Sequence, residues 1–212
     1  MKLVLNLALI IGLLVGSDVA AVGQRPIEIN SGLITMYAID PLSQSLCFRD
    51  GGNGHIFEAG QKKNRCSDLN FGSYLADGFS VGVEGSRLGA ILDLGNADEL
   101  KGRYGYKETV GKGQGYASIA LKNGKVMIAK DLQAKTLQEM TESGSLFVQG
   151  KGVSSAPVKV GHIYILRITD RTEEDYEMIA KLIVVGHNPN ESVTLRWQLL
   201  FDTQPAVSKN KR

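Results

Sequence analysis

Asn123-Gly124 constrains this chain more than any other dipeptide in it. The two residues stand between Tyr116–Lys122 and Lys125–Lys130, runs in which apolar and polar side chains alternate. Asn-Gly accepts the positive φ angles of a type I′ turn, whose twist matches that of two paired strands. A two-residue loop also fixes the register. Ile119 is therefore expected opposite Ile128 and Leu121 opposite Val126, which gives the ribbon one apolar side.

Period-two patterning recurs along most of the chain. Leu33–Ile39 reads as a strand stopped by Asp40-Pro41, and Gly78–Glu84 alternates Phe79, Val81 and Val83 with small residues. In Arg87–Leu94, Leu88, Ala90, Leu92 and Leu94 oppose Ile91, so this strand is expected to be covered on both faces. His162–Thr169, Glu177–Val185 and Ser192–Leu200 are joined by the polar turns Asp170–Asp175 and Gly186–Glu191, which predicts a meander. In the last of these, Trp197, the sole tryptophan, is expected to anchor the core beside Val193, Leu195 and Leu199.

Helix signals are short. Asn96 and Glu99 have capping-box spacing and predict one or two turns ended by Gly102; Thr136 and Glu139 repeat it, with Leu137 and Met140 on one face and Gly144 as the stop. Ser154–Pro157 reads as a loop. About nine short strands with Gly-rich turns and no βαβ alternation predict an all-β fold. The expected architecture is an antiparallel β-sandwich, jelly-roll-like or meander, with one or two short connecting helices.

The ends read differently from this core. Lys2 followed by the apolar run Leu3–Gly16 and small residues up to Gly23 has the form of a cleavable signal peptide over residues 1–23. The run falls short of the roughly 20 residues of a membrane span. Residues 24–204 are expected to form one domain, and residues 205–212 a basic disordered tail carrying Lys209, Lys211 and Arg212. The protein is thus expected to be exported, to a periplasm or beyond the cell. In that setting the two cysteines, Cys47 and Cys66, predict a disulfide across a turn-rich segment with little to bury.

The familiar catalytic spacings are missing. Gly85-Ser86-Arg87-Leu88-Gly89 places its serine one position too early for a nucleophile elbow, and neither a phosphate loop nor H-E-x-x-H occurs. His55, His162 and His187 have no metal-ligand spacing, and Asp50 and Asn53 lack the dense oxygen pattern of a calcium loop. No metal site and no cofactor are implied. With a net charge of +2 and scattered basic residues, no nucleic-acid partner is implied either.

One region leans towards binding. Arg103, Tyr104, Tyr106 and Tyr116 flank the glycine-rich Gly111-Lys112-Gly113-Gln114-Gly115, with Tyr74 and Phe79 upstream. Exposed tyrosines can stack on sugar rings and hydrogen-bond their hydroxyls, while Lys112 among glycines suits an anion or simply a flexible loop between strands. Arg103, Tyr104, Tyr106, Lys112 and Tyr116 form the expected site of a non-catalytic binding module for a glycan or an envelope or matrix protein. Two alternatives stand beside it. One is a secreted hydrolase or lyase using Asp93, Glu84 and His162, with Asp93 set in an apolar run. The other is an assembly protein that pairs sheet edges with a partner. Asn190-Glu191-Ser192 fits an N-glycosylation acceptor.

Overall fold

Asn123 and Gly124 both adopt positive φ, 52° and 70°, and the chain turns there as the dipeptide predicts. The computed structural model describes residues 30–41, 43–49, 51–53, 67–83, 86–106 and 115–203. Expectations for residues 1–29 and 204–212, and for His55, Cys66, Glu84 and Lys112, lie outside the described residues.

In chain order the strands begin with β1 (Ser31–Tyr37), β2 (Ser45–Cys47), β3 (Gly52–Asn53), β4 (Leu69–Phe71), β5 (Gly78–Val81) and β6 (Arg87–Gly95). Helix α1 (Ala97–Tyr104) follows, then β7 (Ile119–Lys122), β8 (Lys125–Ala129), β9 (Leu137–Glu139) and β10 (Ser155–Pro157). The chain closes on β11 (Ile163–Asp170), β12 (Glu177–Asn188) and β13 (Ser192–Asp202).

These strands make an all-β, sandwich-like fold of three antiparallel sheets. The central sheet runs β1-β13-β12-β11-β6, the second β10-β5-β4-β2-β3, and the third β7-β8-β9. The predicted meander is its β11-β12-β13 portion. Alternation then decides which core each residue joins. Tyr164, Leu166, Leu182, Leu195 and Trp197 pack against Leu46, Leu69, Phe71 and Phe79 of the second sheet. Ile163, Ile165, Ile179 and Ile183, one position out of phase, pack against Leu100, Ile119, Val126 and Ile128 on the other side. The central sheet is therefore the middle layer, and Trp197 is fully buried, with Phe48 edge-on at 5.5 Å.

The hairpin register is the expected one, Ile119 to Ile128 and Leu121 to Val126, although Tyr116–Ser118 forms a 3₁₀ turn ahead of β7. Asn96 accepts from the amides of Asp98 and Glu99 at 3.0 Å, and Glu99 returns to the Asn96 amide at 3.2 Å. The helix passes through Gly102 and stops instead at Gly105, in the left-handed region at φ 62°.

Leu137–Glu139 is a strand, correcting the second expected helix. Edge pairing with Met127–Ala129 outweighs a weak capping signal, and Lys125 bridges to Glu139 at 2.6 Å. The helical turns come later, at Thr141–Phe147, and include Gly144. Ser155–Pro157, expected as loop, pairs with β5.

Candidate functional site

The expected binding tyrosines do not present their rings. Tyr104, Tyr106 and Tyr116 are all buried in the core between the central sheet and the hairpin. This corrects the expectation of exposed stacking faces: the glycine-flanked aromatics cover the central sheet. The Tyr104 hydroxyl donates to the Glu142 carboxylate, and Arg103 pairs with the same carboxylate at 2.7 Å. The Tyr106 hydroxyl donates to the Ala97 carbonyl at 3.3 Å. Upstream, Phe79 is buried and Tyr74 exposed.

Tyr116 instead serves Lys181, a residue that sequence reasoning passed over. Lys181 is only 2% exposed, and its ammonium donates to the carbonyls of Tyr116 at 2.7 Å and Ile119 at 2.5 Å. The ammonium also lies 4.5 Å from the Tyr116 ring centre, within cation–π range. Burial, aided by the nearby charge of Arg196, lowers the lysine to about 8. This linkage ties the third layer to the middle one.

Asp93 and His162, candidates for the hydrolase alternative, do meet. His162 Nδ1 stands 2.8 Å from Asp93 Oδ1, Lys159 3.1 Å from Oδ2, and the Gly95 amide donates to Oδ1 at 2.9 Å. Burial by itself raises the Asp93 carboxyl, but these hydrogen bonds outweigh it and hold the group below its ordinary range. His187 makes a similar contact with Asp77 at 2.7 Å. An imidazole oriented by a carboxylate is half of an acid–base apparatus; a nucleophile or a substrate space must complete it. Among the described residues, no serine, threonine or cysteine side chain bonds His162. At the other end of the sandwich, Arg87 and Arg49 lie 3.5 and 4.8 Å from the Tyr176 ring centre, bridged to Asp170 and Asp202.

The feature that stands open is the β1 edge. Leu199 N–H donates to the Asn30 carbonyl, which sets the phase of the β1–β13 ladder. Gly32, Ile34 and Met36 accordingly bond to β13, and the N–H and C=O groups of Ser31, Leu33 and Thr35 point away from the sheet. No described residue pairs with them. The array ends at Tyr37, whose N–H goes to Ser43 and whose C=O accepts from Asp40.

Side chains add to this open edge. Leu33 is 68% exposed, Tyr37 46% and Ile39 85%. Tyr37 and Ile39 join Asp40 and Glu191 around a shallow depression of about 400 Å³. The sequence SGLITMY contains neither charge nor proline, the usual guards of an exposed edge. Other edges are protected or short. On β6, Ile91 pairs with Val153; β3 and β10 span two and three residues, and β7 ends in Lys122. The assembly alternative anticipated pairing edges but did not locate this one. No family model, no curated protein and no solved structure matches this chain.

Proposed function

We propose that the protein is an exported, non-catalytic binding module that engages a polypeptide partner by strand addition at β1. The observation carrying this reading is the uncharged edge strand Ser31–Tyr37, with the outward backbone groups of Ser31, Leu33 and Thr35 unpartnered among the described residues. Main-chain pairing supplies affinity in such recognition, and neighbouring side chains supply choice of partner. Leu33, Tyr37 and Ile39 are the side chains placed to do so. Export rests on the leader-like residues 1–23, and a Cys47–Cys66 disulfide belongs to the same reading. A protein partner is favoured over a glycan, because the tyrosines read as sugar platforms are buried.

A photoreactive amino acid at position 33 tests this in the host. It should form a covalent adduct with a polypeptide, whereas the same probe at Lys122 should not. An adduct from Lys122 alone, or none from either position, removes the β1 reading.

The hydrolase alternative keeps second place on one observation, the Asp93–His162 contact. Hydrolysis of an ester or glycoside panel, lost in His162→Ala, would put it first.

A further inference from the structure

We infer that the polypeptide added at β1 is a second copy of this chain, antiparallel across a two-fold axis at Leu33. The inference rests on the strand-addition reading above and names its partner.

Symmetry of the open groups carries the argument. Ser31, Leu33 and Thr35 are spaced evenly about Leu33, so an antiparallel copy pairs Ser31 with Thr35 of the other chain, Leu33 with its own equivalent, and Thr35 with Ser31. Each of these three pairs can exchange two main-chain hydrogen bonds, and every open group is used. A register centred on Ile34 is poorer. It sets Ser31 against Tyr37, whose N–H and C=O are already taken by Ser43 and Asp40.

Charge agrees with self-pairing. A charged residue near a two-fold axis meets its own copy, and β1 has none. Among the described residues the nearest charge on that face is Arg196, opposite Leu33 on β13. Two strand spacings and the new junction separate it from its equivalent by roughly 14 Å, beyond the Debye length of physiological salt. At the axis, Leu33 covers Leu33, burying the most exposed large apolar side chain of the strand. The contact is isologous and consumes the edge on both chains, so it closes at a dimer.

Sedimentation equilibrium of the mature, oxidised protein tests the inference, with Leu33→Lys and Leu33→Pro as variants. The Leu33 N–H points outward, so proline leaves the β1–β13 ladder intact; circular dichroism and the thermal midpoint check the fold. The contact is small, so the expected dissociation constant is on the order of tens of micromolar. Both variants should weaken it at least about tenfold. Register is tested by cysteine: an opposed hydrogen-bonded pair has Cα atoms about 5.5 Å apart, within disulfide range. Leu33→Cys should therefore give a covalent dimer on oxidation, and Tyr37→Cys should not.

A monomer up to roughly millimolar concentration overturns the inference, as does a dimer indifferent to both Leu33 variants. If the protein is monomeric and the probe at position 33 captures a different polypeptide, strand addition survives with another partner. If it captures nothing, both readings fall.

Discussion

The Lys181 ammonium lies 2.7 Å from the Tyr116 carbonyl oxygen, with no described carboxylate bonded to it. A cation so buried favours its neutral form. Between about 8 and the ordinary 10.5, the folded chain binds fewer protons at this site than the unfolded chain. Folding is thus increasingly favoured as pH rises through that window. The thermal midpoint of wild type should climb from pH 8 to about 10 relative to Lys181→Met. Above that, Tyr104, Tyr116 and Tyr164 act in the opposite sense, because burial raises their phenols and the unfolded chain ionises first. Identical pH profiles for the two proteins would show that Lys181 carries no such linkage.

Asp93 should make the fold sensitive to acid. Its folded value is depressed, so its contribution is complete above the ordinary carboxylate value of about 4 and disappears as pH falls through the lower folded value. Buried Asp68 has the reverse sign, since desolvation pushes it up to about 6. The difference between wild type and Asp93→Asn isolates the first effect. Urea unfolding should show the variant less stable by about 1–3 kcal/mol at pH 7, with the gap closing towards pH 3.

Two glycines should respond oppositely to alanine. A Cβ on Gly32 would sit 2.9–3.0 Å from the Trp197 ring, so Gly32→Ala is expected to cost about 1–3 kcal/mol and to alter the tryptophan near-ultraviolet signal. A Cβ on Gly102 meets nothing within 4 Å on α1, and Gly102→Ala should stabilise by up to about 1 kcal/mol. Chemical denaturation of the two variants reads both signs.

Oxidation should staple Cys47 to Cys66. Peptide mapping without reductant should recover the two cysteines in one linked fragment, and Cys47→Ser should cost about 3 kcal/mol. Recovery of two unlinked thiols from protein purified without reductant would show that the bond does not form.

What could be read in advance was what the chain encodes locally. Asn123-Gly124 specified a turn and a register by itself, and the meander announced itself through long alternating runs separated by polar turns. The strands β2, β3 and β4 were not legible: each has three residues or fewer, too short to alternate visibly. Lys181 was hidden for a different reason. A lysine within EMIAKLIVV normally marks the wet face of a strand, but the third layer covers that face here. Tyr104, Tyr106 and Tyr116 were misread for the same cause. The open edge at β1 could not be located either, because its neighbour β13 lies at the far end of the chain, as the Thr35–Thr194 contact shows.

The middle position of the meander bears on how the molecule comes apart. Both apolar cores share β11 and β12 as a common wall. Stripping either outer layer wets the apolar side chains that β11 and β12 carry on that side, so neither half is expected to persist as a folded remnant. Damage to the Asn123-Gly124 ribbon should reach Trp197 on the opposite side within a single cooperative transition.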